Sequence, residues 1–259
     1  MIINNHFMDI VHQLSRELLR QAFTKGRIAP DELNRYKMIA SHYARVENAL
    51  SVLSDMRSNT SYIYYGGFSK TLGLTKTGKA DEIRSIWEDE ILKLVHPDDL
   101  RGKYLGELRF FHFVKRQPKE RRFDFFLLDK LRMRDPAGHF LPVTHRLFYL
   151  PDTTSDNSLR LALCLYTPQL FEPQATSVAV NSLTGEMIEL GDHDDSHLLS
   201  EREKQVLRLI DQGMTSKRVA ETLSISVNTV SRHRQTILQK LRVGNSIEAC
   251  RVARTLGII

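Results

Sequence analysis

Polar side chains recur at helical spacing between positions 228 and 239, and their chemistry suits the edges of DNA bases. If Ser226 caps the start of a helix, these side chains fall within one narrow arc. They are Asn228, Ser231, Arg232, Gln235 and Gln239. Arginine can donate two hydrogen bonds to guanine, and glutamine can pair with adenine in a similar way. The first four residues are therefore candidate base contacts, and the alternative is an ordinary solvated helix face.

The opposite arc of the same helix is mostly apolar. It carries Val230, His233, Ile237 and Leu241, and we expect the helix to pack through this side. Because His233 shares the arc with apolar residues, we expect a packed, hydrogen-bonded core histidine there rather than a DNA contact.

Hydroxyl and cationic side chains around this helix are candidates for contacts to the phosphate backbone of DNA. They are Thr215, Lys217, Arg218, Thr229, Arg234, Lys240 and Arg242. Residues 197 to 259 contain 11 Lys and Arg against 5 Asp and Glu, whereas the preceding residues hold equal numbers of the two kinds. Because phosphate neutralisation dominates nonspecific affinity, this distribution predicts that the C-terminal end is the part that meets a polyanion.

Local signals place further helices around the polar arc. Ser200 and Glu203 form a capping box before one helix, and Gly213 supplies the left-handed residue that ends it. A short helix is predicted over residues 216–223. With a last helix near the C-terminus, residues 199–259 form a predicted all-α domain of four helices, and the polar arc lies on the second helix of a helix-turn-helix.

Several residues of this segment occur at a characteristic spacing. They are Leu199-Ser-Glu-Arg-Glu203, Val206, Leu207, Gly213, Lys217, Val219, Ala220, Leu223, Ser226, Thr229, Val230, His233, Ile237, Lys240 and Leu241. With them, residues 199–257 resemble the C-terminal DNA-binding domain of the LuxR family of bacterial transcription regulators. The chain departs from the family at Ser216 and Arg218, where an asparagine and an acid are usual. This departure changes the groups available for anchoring phosphate at that helix.

The resemblance implies base contacts at Ser231, Arg232 and Gln235, in agreement with the helical arc. It also assigns the last helix, residues 246–256 with Asn245 and Glu248 as caps, to contact between two copies. A homodimer on double-stranded DNA is therefore expected, since symmetric regulators place two recognition helices in successive major grooves. RNA polymerase is a further candidate partner.

The first 190 residues are expected to combine N-terminal helices with a sheet domain. Helical apolar spacing covers residues 7–23 and 31–57, and helical patterns return over 79–114 around a helix start at His96-Pro-Asp-Asp99. Predicted strands cover residues 62–68, 122–134, 140–150 and 159–166, and a small hairpin covers 177–190.

A sheet led by one short strand, then helices, then three long antiparallel strands resembles a PAS sensor domain. The resemblance covers roughly residues 50–170 and includes the hairpin turn at Asp135-Pro-Ala-Gly138. The predicted fold class is α+β: a PAS-like antiparallel sheet with helices, preceded by N-terminal helices and followed by the four-helix domain. The predicted bounds are 1–57 for the N-terminal helical segment, 58–190 for the PAS-like sensor domain, 191–198 for a linker and 199–259 for the DNA-binding domain.

His145 is the candidate ligand contact of the sheet domain. It shares a strand face with Val143 and Leu147 that would point toward a pocket. A role as haem ligand and a satisfied buried histidine are the alternatives. Cys164 and Cys250 fall in different predicted domains, so neither a disulfide framework nor a metal site is expected. The cofactor stays open, and a protein without one is among the alternatives.

Together these patterns predict a sequence-specific DNA-binding transcription regulator without catalysis, whose PAS-like domain senses a signal, such as a small-molecule ligand, or mediates dimerisation. A DNA-processing enzyme of the recombinase kind, which uses the helix-turn-helix for targeting, is the alternative. A sheet domain that acts as a ligand-free dimerisation scaffold is a third interpretation. The chain has no apolar run long enough for a membrane span and no secretory pattern at its start. We therefore expect a cytoplasmic protein that does not contact membranes.

Overall fold

The chain divides into two compact units, Met1–Glu189 and Leu190–Ile259. A computed structural model describes residues 5–23, 30–74, 80–151, 158–170, 177–190, 199–241, 243–255 and 258–259. The first unit combines an antiparallel sheet with helices, and the second unit is all-α. The predicted α+β class is thus confirmed. The predicted linker 191–198 lies outside the described residues.

Two helices open the first unit, α1 (Asn5–Leu19) and α2 (Pro30–Val46). Helix α1 buries Ile10, Leu14 and Leu18, which are four residues apart and so lie on one side. This side packs against a long helix, α5 (Pro97–Arg116). The helix predicted over residues 7–23 is confirmed, but the observed helix begins at Asn5 and ends at Leu19.

Helix α2 begins as its sequence indicates. Pro30 opens the first turn, and Asp31 and Glu32 follow where acids favour the positive helix end. Its buried stripe of Tyr36, Ala40 and Ala44 packs on the sheet. The small alanine side chains let the helix backbone approach the strands closely.

All strands that the structure describes in the first unit belong to one antiparallel sheet. They are β1 (Leu50–Asp55), β2 (Thr60–Tyr65), β3 (Ala80–Ile83), β4 (Phe125–Arg134), β5 (Phe140–Leu150), β6 (Leu161–Pro168), β7 (Ser177–Asn181) and β8 (Met187–Glu189). Within the described residues their spatial order is β3-β2-β1-β6-β5-β4-β7-β8. Strand β1 is an interior strand of the sheet and pairs with β6 from Leu50 opposite Tyr166 to Asp55 opposite Leu161.

Both faces of the central strands are covered, because side chains alternate across a strand. Val52 of β1 joins the core beside α5, where the short helices α3 (Phe68–Thr71) and α4 (Asp89–Leu92) also pack. The next residue, Leu53, joins a second core with α2. The sheet is therefore a middle layer between α2 on one face and α1, α5 and the short helices on the other.

The predicted helix over residues 31–57 is wrong beyond Val46. Asn48 takes a left-handed backbone conformation with φ of 51°, and β1 begins two residues later. Every residue of β1 is buried, so its apolar residues lack the strict alternation that marks a half-exposed strand. A short apolar run of this kind fits a buried strand and a buried helix equally well, so Leu50 and Leu53 fit the helical spacing as well.

Two further sequence predictions need correction before α5. The helical pattern over 79–114 is wrong at its start, because residues 80–83 form the edge strand β3. The predicted strand over 62–68 ends at Tyr65, and Phe68 opens α3. The sheet is thus led by three strands rather than one. The later strands are confirmed, except that a 3-10 helix (Lys119–Asp124) delays the start of β4.

The second unit has the four predicted helices within its described residues. They are α6 (Glu201–Asp211), α7 (Ser216–Leu223), α8 (Val227–Leu241) and α9 (Ser246–Thr255). Ser200 and Glu203 form the predicted capping box, and Gly213 has a φ of 82° after α6. Val206, Val230 and Ile237 are buried in the core of this unit.

Candidate functional site

Helix α8 presents the predicted base-contacting residues together on its exposed side. Asn228, Ser231, Arg232 and Gln235 are all exposed. The helix begins as predicted, since the Ser226 hydroxyl accepts a 3.0 Å hydrogen bond from the amide of Thr229. Because its opposite side is buried in the core of the unit, this row of donors and acceptors is free to enter a groove of DNA.

The start of α7 is a second exposed polar surface. Thr215 caps the helix by accepting a hydrogen bond from the amide of Arg218. The side chains of Lys217 and Arg218 are exposed, and the first turn holds no acid. Cations at the positive end of a helix are unfavourable for the helix alone. The same arrangement favours an anion such as phosphate, which both the cations and the helix end attract.

Thr229 is less accessible to a phosphate than its place among the candidate phosphate contacts suggests. Its side chain is half-buried, and its hydroxyl lies 2.8 Å from the hydroxyl of Ser226. His233 lies on the packed side of α8 but is only half-buried, so the expected core position is not reached. Arg242 lies outside the described residues.

Arg234 connects the starts of two helices. Its guanidinium donates one hydrogen bond of 2.8 Å to Ser216 of α7 and another of 2.9 Å to Ser246 of α9. The side chain is half-buried. Ser216, one of the departures from the LuxR pattern, thus has a partner inside the unit. The guanidinium of this predicted phosphate contact is engaged by the protein itself.

Lys240 is engaged in the same way. Its ammonium donates hydrogen bonds of 2.9 and 2.7 Å to the two carboxylate oxygens of Glu203. Burial alone would raise the pKa of Glu203, but the hydrogen bonds from Lys240 and Ser200 outweigh it and lower that pKa. The buried Glu203 carboxylate therefore connects the capped start of α6 to Lys240 of α8.

Two interactions of the second unit were missed by the sequence reasoning. Arg254 of α9 forms a bidentate ion pair with Asp211 of α6, with distances of 3.0 and 2.6 Å. Arg202 donates a 2.7 Å hydrogen bond to the carbonyl of Leu223 at the end of α7. Such pairs leave little local signal, because their partners are far apart in the sequence.

Helix α9 exposes an apolar residue. Ile247 is 76% exposed, and the caps at the start of the helix are arranged differently from the prediction. Asn245 accepts a hydrogen bond from the amide of Glu248, whereas the Glu248 carboxylate accepts from the amide of Gly244. Both groups still satisfy free amides at the start of α9.

A cluster of ionisable side chains is buried in the first unit. Lys103 of α5 donates a 2.6 Å hydrogen bond to Glu107, one turn later. His145 of β5 lies with its Nδ1 3.2 Å from a carboxylate oxygen of Asp129 in β4. Glu88 accepts a 2.9 Å hydrogen bond from the hydroxyl of Tyr166.

Burial dominates the protonation of this cluster. It raises the pKa of Glu88, and it raises the pKa of Asp129 to about 7 against the opposing effects of Ser177 and Lys103. Burial and the charge of Lys103 lower the pKa of His145 to about 3, so its ring is neutral. Burial would also lower the pKa of Lys103, but the carboxylates of Glu107 and Glu88 raise it.

The cluster borders a small cavity next to a larger cleft. The cavity has a volume of about 30 Å³ and is lined by residues that include Leu18, Lys103, Glu107 and Cys164. Trp87 and Glu88 line both this cavity and a cleft of about 530 Å³. The indole N–H of Trp87 donates a 2.7 Å hydrogen bond to Ser15 of α1. Of the predicted site residues, His145 belongs to the neighbouring buried cluster, whereas the cavity and the cleft are lined by other residues.

The geometry of the second unit agrees with a family comparison. Residues 197–253 match the model of the family described as bacterial regulatory proteins, luxR family. The second unit is thus a luxR-type helix-turn-helix domain, as its sequence predicts.

Named relatives are similar to part of the chain. The uncharacterized response regulatory protein YgeK of Escherichia coli is 36% identical over 66 residues, which cover 26% of this chain and 45% of YgeK. The transcriptional regulatory protein DesR of Bacillus subtilis is 38% identical over 25% of this chain and 33% of DesR. The chain thus spans less than half the length of these two relatives. Both are regulatory proteins by name, and the recombinase alternative gains no support.

Solved structures are similar at low sequence identity. A complex of phage VqmA with DPO is 15% identical, with a TM-score of 0.29, over 87% of this chain and 91% of that one. Escherichia coli SdiA is 16% identical, with a TM-score of 0.26, over 98% of both chains. At such scores the backbones do not superpose over their whole length.

Among the described helices, none combines the length and the apolar character that crossing a membrane requires.

Proposed function

We propose that this protein is a non-enzymatic transcription regulator that binds double-stranded DNA through its second unit. The observation that carries the proposal is the exposed row Asn228, Ser231, Arg232 and Gln235 on α8, in a domain that matches the luxR family. Such a helix fits the major groove, and its side chains have the donors and acceptors that distinguish base pairs.

Phosphate contacts are assigned first to the start of α7. Thr215, Lys217 and Arg218 are exposed there, and the first turn of α7 holds no acidic side chain that would compete with a phosphate. Arg234 and Lys240 have partners inside the unit, so their contribution includes holding the helices in place. Thr229 and Arg242 remain candidates from the sequence.

The test measures binding of the full-length protein to random duplex DNA at several salt concentrations. Affinity should fall steeply as salt rises, and Lys217→Ala with Arg218→Ala should reduce the slope by about two, because two phosphate contacts disappear. The matched control is Lys70→Ala with Arg101→Ala, which removes two exposed cations from the first unit. Binding that ignored salt, or equal slopes for the two double variants, would refute the proposal.

The first unit is proposed to be a PAS-like sensor. Its support is the order β2-β1-β6-β5-β4 within the antiparallel sheet, with α3, α4 and α5 inserted before β4. The cavity beside the buried cluster and the adjacent cleft supply a place for a small-molecule ligand. Mass spectrometry of the intact protein under native conditions tests this role, and a protein that binds no ligand would favour the dimerisation scaffold.

The regulator is proposed to act as a homodimer in the cytoplasm, where bacterial DNA lies. The resemblance to the LuxR family assigns α9 to the contact between two copies, and Ile247 is an apolar residue that this helix exposes. Light scattering of the protein on a bound operator should give two chains for each site, whereas Ile247→Glu should shift the complex toward one chain. RNA polymerase is the candidate partner for activation, and its recruitment would be measured by transcription from the operator.

A further inference from the structure

Three potential metal ligands converge beside the small cavity of the first unit. Glu107 of α5, His145 of β5 and Cys164 of β6 each offer one ligand atom, and these atoms all lie within 4.8 Å of one another. His145 Nε2 is 3.9 Å from the Glu107 carboxylate, which is too long for a hydrogen bond. Small side-chain rotations would bring the three atoms around one ion.

His145 is oriented as a metal-binding histidine would be. Its Nδ1 lies 3.2 Å from the Asp129 carboxylate, and a carboxylate in this position fixes the ring of many ligating histidines. The ring is fully buried, and Nε2 has no hydrogen-bond partner. A buried ring nitrogen without a partner is costly unless another group uses it.

Buried acidic side chains around these three residues also favour a cation. Glu88, Glu107 and Asp129 are buried acids, and Lys103 is the cation that lies among them. A divalent ion bound between Glu107, His145 and Cys164 would have these carboxyl groups nearby, and opposite charges attract strongly in a buried site.

We propose that Glu107, His145 and Cys164 bind a divalent transition metal, and that Zn²⁺ suits this combination of carboxylate, imidazole and thiol. These are the three ligand types that zinc takes in proteins, and sites with three protein ligands keep a fourth position open. The cavity lined by Glu107 and Cys164 is the place for a water molecule in that position. On binding, the Cys164 thiol releases its proton to solvent and the sulfur ligates as thiolate.

The ligand set was not visible in the sequence. Glu107 comes from a helix, and His145 and Cys164 come from two strands. Glu107 and Cys164 are more than fifty residues apart in the sequence, and no short metal-binding motif contains the three residues. Cys164 and Cys250 fall in different predicted domains, and two isolated cysteines do not indicate a metal site. The sheet and α5 bring other ligand types to Cys164 instead.

The experiment uses the full-length protein, freed of its affinity tag and of metal by a chelator, and titrates it with Co²⁺ as a spectroscopic substitute for Zn²⁺. The protein should bind about one ion per chain, with the strong visible bands of tetrahedral cobalt and a near-ultraviolet thiolate-to-cobalt band. Zn²⁺ should displace the cobalt and abolish the bands.

Two cysteines make a matched pair of variants, since Cys164 and Cys250 are both free thiols. Cys164→Ser should abolish the thiolate band, and Cys250→Ser should leave it unchanged. His145→Ala should lower the metal affinity at least as much as Asp129→Asn, for which we expect a loss of about tenfold or more. His139→Ala, which alters a histidine that is 78% exposed, should have no effect.

The Cys250→Ser protein decides the proposal even if changes inside the cluster prevent folding, because Cys164 is then its remaining cysteine. Absence of stoichiometric Co²⁺ binding, or cobalt bound without a thiolate band in this protein, overturns the metal site. The outcome does not depend on DNA binding, so it leaves the proposed function to be tested separately.

Discussion

The ammonium group of Lys240 lies 2.7 Å from one carboxylate oxygen of Glu203 and 2.9 Å from the other. The Glu203 side chain is only 6% exposed, whereas that of Lys240 is 40% exposed. Removing the cation would leave a buried carboxylate without its charged partner. The lysine that sequence alone assigns to DNA phosphate is therefore also part of the structure that holds α8 to the start of α6.

Lys240→Met should lower the free energy of unfolding of the second unit by about 1 to 3 kcal/mol, the usual range for a buried group that loses its hydrogen-bond partner. The control is Lys217→Met, an exposed lysine on α7, which should change stability little and weaken DNA binding more. Urea unfolding followed by circular dichroism measures the first effect. Equal stability of the two variants would mean that the ion pair contributes nothing.

Glu203 also predicts a dependence of stability on pH. Burial opposes ionisation of Glu203, but the hydrogen bonds from Lys240 and Ser200 lower its pKa below the ordinary value of 4.5. A carboxylate with a lowered pKa in the folded state stabilises the fold above 4.5, and this contribution is lost as the pH falls through the folded pKa. Glu203→Gln should therefore show a weaker loss of stability below that pH, measured by urea unfolding at a series of pH values.

Arg232 tests whether α8 reads sequence. If Arg232 reaches a base edge, Arg232→Ala should cost about 1 to 3 kcal/mol on the preferred operator and much less on random DNA. Arg208, exposed on α6, provides the matched control, and Arg208→Ala should leave the ratio of specific to nonspecific affinity unchanged. An unchanged ratio for Arg232→Ala would move the reading face to Asn228, Ser231 and Gln235.

Arg234 should behave differently from an ordinary phosphate contact. Arg234→Ala removes hydrogen bonds to Ser216 and Ser246, and we expect the second unit to lose about 1 to 3 kcal/mol of stability. A double-mutant cycle with Ser216→Ala separates this bond from other effects, since the two changes should be less than additive. Strict additivity in chemical denaturation would rule out the bridge.

The first unit holds a buried ion pair that can be tested in the same way. Arg160 and Asp55 form a bidentate pair with both distances at 3.0 Å, and their side chains are 8% and 4% exposed. Asp55→Ala should cost about 3 to 5 kcal/mol, because it leaves a buried guanidinium without its partner. The double variant Asp55→Leu with Arg160→Met should be more stable than the single variant, as measured by thermal unfolding.

Local signals explain why the second unit was predictable from the sequence. The Ser200 capping box, the Ser226 cap and the positive φ at Gly213 depend on residues within a few positions of each other. The apolar positions Val230 and Ile237 recur at the helical period and are buried as predicted. Each of these features constrains the backbone before any distant contact forms.

Long-range packing explains what was missed in the first unit. Strand β1 is buried on both faces, so its apolar residues do not alternate with polar ones and do not reveal a strand. Strand β3 is a short edge strand of four residues, which is too short to show a clear pattern. Asp129 could have been found, because strict alternation along β4 places it between Leu127 and Leu131 on the buried face. The spacing of Lys103 and Glu107 on one side of α5 was a second available signal.

Helix α1 forms part of the cavity wall, so the attachment of this helix to the first unit is linked to what the cavity holds. Leu18 lines the cavity, and Ser15 holds the indole of Trp87, so detachment of α1 exposes whatever lies beneath it. An occupant that binds the docked form stabilises that form against opening. The rate at which amide protons of α1 exchange with deuterium should then slow as the cavity fills, which reports occupancy without a label on the occupant.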